Sequence, residues 1–186
     1  MENDAQTHPY TGLTPDVVLN ALEGVGLQCD GSQLALNSYE NRVYQIGIVD
    51  APPVVAKFYR PERWSDAAIL EEHAFALELQ EREIPVVAPL ALAGGKTLHA
   101  AEGFRFAVFP RCGGRAPELD KPDTLQWMGR FLGRLHAVGA VTPFRERPAL
   151  DIASFGEASR DYLLAHRFLP DDLLAAWQSV ADQALD

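Results

Sequence analysis

No stretch of this 186-residue chain approaches the roughly 20 consecutive apolar residues that a membrane-spanning helix requires. Residues 1–12 also lack the basic start and apolar stretch of an export signal, so the chain is expected in the cytoplasm, away from the membrane. Cysteine is scarce. The two present, Cys29 and Cys112, are far apart and in no metal-ligand spacing, which excludes a disulfide framework and a cysteine-based zinc site. Positive charge is short as well: 16 Lys and Arg against 26 Asp and Glu leave a formal charge of −10. Such a field repels phosphate backbones, so nucleic acid is not an expected partner and any phosphate chemistry must be local. Apolar content is ample, at 47%, enough to offset the entropy of ordering a globular chain. At this length the expectation is one domain, or two small lobes sharing a cleft.

The order of elements is informative. Residues 1–13 read as a flexible tail, after which Thr14-Pro15-Asp16 opens a helix whose apolar residues are Val17, Val18, Ala21, Leu22 and Val25. Strand-like runs follow at 33–36, 42–49 and 54–59, joined by a polar connector at 37–41 and a turn at 50–53, as in an antiparallel meander. Ser65-Asp66 starts a helix that runs to about Glu83, with Leu70, Ala74 and Leu77 at helical spacing. Residues 86–92 and 96–100 suggest a strand and hairpin, and 104–109 another strand. The Gly- and Pro-rich segment 110–117 marks a lobe boundary. Beyond it the pattern is helical. Leu125, Met128, Leu132 and Leu135 form one stripe, and further helices are expected from Ser154 and from Pro170. The fold class expected is α+β: an antiparallel sheet lobe with one main helix (14–109), a hinge (110–117), and the opening helices of a helical lobe (118–186).

That order is the order of a kinase small lobe feeding into a large one. A turn between the first two strands can cover phosphates with backbone N–H groups. A lysine inside the third strand, Lys57 in Val55-Ala56-Lys57, can reach them, and the following helix offers Glu71 and Glu72 as its anionic holder. Each feature also has an ordinary reading, with Lys57 snorkelling at an edge and both glutamates solvated. The connector Ser38-Tyr39-Glu40-Asn41 contains no glycine, so the Gly-rich fingerprint is absent. His136, Trp127, Met128 and Cys112 read as structural residues.

Several segments resemble the bacterial stress response kinase A family, within the aminoglycoside phosphotransferase and choline kinase-like group. They are Asn37 to Tyr44, the run Lys57-Phe58-Tyr59-Arg60-Pro61-Glu62-Arg63-Trp64, Ile69 to His73, Phe106 to Pro110 with Gly113-Gly114-Arg115, and Gly129 to His136. The resemblance covers residues 14–186 and implies a protein kinase-like fold and a Mg-ATP-dependent serine/threonine protein kinase. It implies that Ser38, Tyr39, Glu40 and Asn41 lie in the nucleotide-covering loop, that Lys57 binds phosphate and that Glu72 is its ion-pair partner. Phe109 to Arg111 become the adenine-binding hinge, with Val108 near the gatekeeper position. The family's His-Gly-Asp…Asn catalytic loop and later magnesium-binding Asp have no match here. The resemblance therefore implies an N-terminal part whose base and Mg2+ ligands fall beyond residue 186, and which alone does not turn over. Two other readings stay open at this stage: a nucleotide-binding pseudokinase, and a phosphotransferase acting on an amino sugar or choline.

Overall fold

The structure, a computed structural model, describes residues 9–185. It divides into two compact units, Met1–Glu146 and Arg147–Asp186. The first contains a five-stranded antiparallel sheet of order β1-β2-β3-β5-β4, formed by β1 (Cys29–Leu36), β2 (Arg42–Ile48), β3 (Ala51–Phe58), β4 (His99–Ala101) and β5 (Phe104–Pro110). Helices α1 (Pro15–Glu23), α2 (Asp66–Glu81) and α3 (Pro122–Gly139) complete this unit. The α+β class and the kinase-like element order expected from sequence are both present.

Period-2 alternation gives the sheet two faces. On one, Ile46, Ala56, Phe58, Phe106 and Val108 are fully buried against Val18 and Leu22 of α1. On the other, Tyr59 and Ala107 pack with Ile69 of α2, flanked by Trp64, Leu98 and Phe109. Helix α1 starts as its sequence dictates: Thr14 Oγ1 accepts the Val17 N–H, with Pro15 at the first helical position. Ser65 caps α2 the same way through the Ala68 N–H.

Several local expectations are corrected. Of the expected tail, residues 1–8 lie outside the described residues, but 9–13 belong to the fold. Tyr10 and Leu13 are buried, and Tyr10 stacks on Phe104 with ring centroids 6.3 Å apart. Strand β1 begins at Cys29 rather than at 33, because Asp30-Gly31-Ser32 forms a bulge. There the Asp30 carboxylate accepts from the Ser32 N–H (2.7 Å) and hydroxyl (2.6 Å), and Gly31 adopts φ +87°. The second turn is Val49-Asp50, not 50–53. Pro52 and Pro53 sit inside β3, where the β2–β3 register shifts between Ile46 and Ile48 and a missing N–H is tolerated. Residues 86–92 form no strand. Leu90 donates to the Val108 carbonyl (2.7 Å), Leu92 bridges to Lys96, and the hairpin is β4–β5 over Glu102-Gly103. In α2 the buried residues are Ala68, Ile69, His73 and Leu79, whereas Leu70 is 45% exposed and Ala74 is also exposed. Apolar residues occur all round this helix, so spacing alone does not choose its inward face.

The bulge explains Gly47. A Cβ there would collide with the Ser32 hydroxyl and both Asp30 carboxylate oxygens. Gly47→Ala is expected to destabilise the sheet unit by about 1–3 kcal/mol through that overpacking. A urea midpoint equal to that of the parent would show that the bulge yields freely.

Helix α3 packs through Val138, Phe131 and Leu135 on Leu79 and Ile84, while Leu125 and Leu132 of its expected stripe are about half exposed. In the second unit Asp151 accepts the Ser154 N–H (2.8 Å) and opens a π-helical turn over Ile152–Glu157 that runs into α4 (Ala158–Ala165). Arg160 reaches Asp182 of α5 (Leu174–Leu185) at 2.9 Å, and Gly156 leaves room for Leu185. Among the described residues no helix is long and apolar enough to cross a membrane.

Candidate nucleotide site

Cross-strand register places Lys57 opposite Val43 on one side and Ala107 on the other, and Val55 opposite Gln45 and Phe109. Leu36 and Leu34 extend these two rows across β1. Directly paired residues share a face, so Leu34, Leu36, Val43, Val55 and Phe109 form an apolar platform beside Lys57. Leu34 is 57% exposed, and Leu36, Val43, Val55 and Phe109 are half-buried. Alternation from Lys57 is enough to find Val55 and Tyr59, but the platform residues of β1 and β2 need the register.

Lys57 Nζ lies 3.4 Å from Glu72 Oε1 of α2. It also sits 4.6 Å from the centroid of the Tyr59 ring, which shares its face two residues on. Residue order left Glu71 and Glu72 as joint candidates, the family resemblance implied Glu72, and α2 separates the two in that sense. Glu71 turns to the segment after α3, accepting from the backbone N–H groups of Arg145 (2.6 Å) and Glu146 (3.0 Å). Beneath the pair lies a network that sequence reasoning missed. His73, the residue after Glu72, is 1% exposed. Its Nε2 shares a hydrogen bond with the Tyr59 hydroxyl (2.7 Å) and its Nδ1 with the Thr97 hydroxyl (2.9 Å). Burial, assisted by the neighbouring Lys57 and His99 charges, pushes the His73 pKa down to about 4, so the imidazole is neutral near pH 7.

The remaining sequence candidates separate by face and partner. Phe109 lies on the Lys57 face and meets His73 edge-on. Val108 does not: it is fully buried in the α1-side core opposite Ala56, because alternate residues of a strand point to opposite faces. This moves Val108 to the face opposite Lys57, away from the gatekeeper position expected for it. Arg111 follows the strand and donates from Nε to Gln45 Oε1 (3.3 Å). In the β1–β2 loop Ser38 is half-buried and Tyr39 fully exposed. Glu40 and Asn41 turn their side chains toward residues 60–64: Glu40 accepts from Arg63 and Trp64, and Asn41 from the Arg60 N–H. No group of three or more His, Cys, Asp or Glu side chains stands close enough among the described residues to hold a metal ion.

The site therefore combines an apolar platform with a paired lysine, and the comparisons identify the family. The sequence model described as the phosphotransferase enzyme family matches residues 32–186. Stress response kinase A of Salmonella choleraesuis is 44% identical over 95% of this chain and 53% of its own length. The protein of that name from Escherichia coli K12 is 42% identical over the whole chain and 56% of its length. A Salmonella typhimurium relative, 44% identical over 95% of this chain and 53% of its own, carries the name serine/threonine protein kinase RdoA. The chain spans about half the length of the curated relatives it matches. Among solved structures, an amicoumacin kinase in complex with AMP-PNP, Ca2+ and Ami superposes with a TM-score of 0.68 at 20% identity, covering 90% of this chain and 52% of that one. A microcompartment-associated aminopropanol kinase gives 0.61 at 19% identity, over 79% and 48%. At those identities the structures speak to the fold alone, but with the family match and the relatives they leave one conclusion: this chain belongs to the phosphotransferase enzyme family.

Proposed function

We propose that this chain is the ATP-binding part of a cytoplasmic serine/threonine protein kinase of the stress response type, which transfers a phosphoryl group from ATP to a protein hydroxyl. The observation that carries the reading is the Lys57–Glu72 ion pair standing beside an apolar platform open to a planar ring. In this reading residues 14–109 are the nucleotide lobe, 110–117 the hinge and 118 onward the start of the helical lobe. The purine lies on Leu36, Val43 and Val55, and hydrogen-bonds to backbone groups of the Phe109–Arg111 segment, past the point where Leu90 covers the β5 edge. The Lys57 ammonium neutralises phosphate charge, Glu72 keeps it from swinging away, and the backbone of Ser38 to Asn41 covers the phosphates. The base that orients the acceptor hydroxyl, and the Mg2+ ligands, belong to the remainder of a longer protein of the relatives' length. Phosphoryl transfer is mainly positioning plus charge neutralisation, and this chain contributes the donor side of that positioning.

The direct test is ATP titration of the 186-residue chain. Loss of a charge-assisted contact to phosphate in Lys57→Ala is expected to weaken binding roughly tenfold or more. Equal affinity in a normally folded Lys57→Ala variant would overturn the reading.

A further inference from the structure

The run Lys57 to Trp64 is the most distinctive motif of the chain, yet only Lys57 and Tyr59 in its first half belong to the site. Its second half, Arg60 to Trp64, meets the β1–β2 loop instead. Glu40 Oε1 accepts the indole N–H of Trp64 (3.0 Å) and Oε2 accepts Arg63 Nε (3.1 Å), while Arg63 lies over the Trp64 ring at 4.7 Å. Asn41 Oδ1 accepts the Arg60 N–H (3.3 Å). From the far side the Tyr10 hydroxyl donates to the Glu40 carbonyl (2.8 Å), and Arg42 covers the Tyr10 ring at 4.8 Å. Two segments distant in sequence, Tyr10 and residues 60–64, thus converge on one loop that contains no glycine.

We propose that Glu40 is a positioning residue, a clamp that ties the β1–β2 loop to the 60–64 turn and so presets its backbone for the phosphates of ATP. This deepens the nucleotide reading and rests on it. Where a glycine-rich loop orders around its ligand, this loop is ordered beforehand, so binding carries less ordering entropy. The clamp also disposes of a charge problem. A loose carboxylate in a phosphate-covering loop repels its ligand, whereas here it is directed at Arg63 and Trp64. Burial raises the Glu40 pKa, but the hydrogen bonds from Trp64 and Arg63 outweigh it and leave the carboxyl below its ordinary range, so it accepts both bonds at neutral pH. The two motifs, Ser38 to Arg42 and Arg60 to Trp64, form a single device whose halves meet only in the folded chain.

The experiment compares ATP and adenosine binding by the 186-residue chain, because a preset phosphate loop acts on the first ligand and not on the second. Glu40→Ala is expected to weaken ATP roughly tenfold while adenosine changes less than twofold, and Glu40→Gln, which keeps an acceptor for Trp64, is expected to recover part of the loss. If Glu40→Ala does not fold, Trp64→Phe deletes the indole N–H and keeps the ring, and it should reproduce the selective loss of ATP. Equal ATP affinity in a folded Glu40→Ala or Trp64→Phe variant, or parallel losses for ATP and adenosine, would overturn the clamp. Lys57→Ala run alongside tells the two readings apart. If it weakens ATP while the Glu40 variants do not, the clamp alone fails; if it changes nothing, the nucleotide reading fails and takes the clamp with it.

Discussion

In the kinase proposed above, Glu72→Ala is expected to slow phosphoryl transfer by about a hundredfold or more, while Glu71→Ala leaves it within about twofold. The two residues are adjacent, chemically identical and on one helix, so composition and charge do not distinguish them. Their separation comes from the 100° step between successive residues of a helix. That step aims Glu72 at Lys57, 3.4 Å away, and Glu71 at the backbone of Arg145 and Glu146. Without the Glu72 carboxylate the lysine has one holder fewer, and its four-carbon stem regains rotamers that do not reach phosphate. The loss should appear in kcat as well as in KM for ATP, because the lysine meets charge that develops in the transition state. Glu71→Ala should show instead in thermal stability, since two backbone N–H groups lose an anionic acceptor. Equal turnover losses in the two variants would show that α2 as a whole, and not the Lys57 pair, sets activity.

A large pH effect is expected from His73. Its folded pKa is about 4 against an ordinary 6.5, so the unfolded chain binds the proton more readily than the native one. The sign follows: the contribution is fully present above pH 6.5 and is lost as the pH falls toward 4. A difference of this size corresponds to about 3 kcal/mol across that window. The groups facing the ring are Tyr59 just after β3, Thr97 before β4, and the Lys57 and His99 charges, both of which oppose protonation. His99 is itself lowered by burial and contributes with the same sign, so the His73 part is isolated as the difference between the parent and His73→Leu. Unfolding by urea at pH 7.5, 6.5, 5.5 and 5 should show the parent losing stability faster than the variant on acidification. Identical slopes between pH 6.5 and 5 would show that His73 takes its proton inside the folded protein. Because His73 follows Glu72 and its partner Tyr59 underlies Lys57, acid weakening of this network should also loosen the ion pair before the sheet unfolds.

Much of this was legible from residue order. Capping residues located the starts of α1 and α2, and a lysine inside a β-branched strand, followed by a Glu-bearing helix, pointed to the site. Where the reading failed, a local rule met a long-range constraint. Pro52 and Pro53 look like a turn, but an interrupted ladder let them stand in a strand. Tyr10 and Leu13 look like a tail because nothing nearby in sequence covers them, and their cover, Phe104, lies about ninety residues on. Val108 was one residue out of phase, a slip that alternation turns into the wrong side of the sheet.

Local signals reach as far as the class of fold, the strand that carries Lys57 and the helix that answers it, because caps, turns and β-branched runs act over a few residues. Long-range packing decided which face of α2 is inward and that Glu40 belongs to Trp64, and it set Glu72, as the family resemblance implied, rather than Glu71 against Lys57. Those choices turn on register and helix phase between segments 15 to 24 residues apart, where a shift of one residue reverses a side chain's direction.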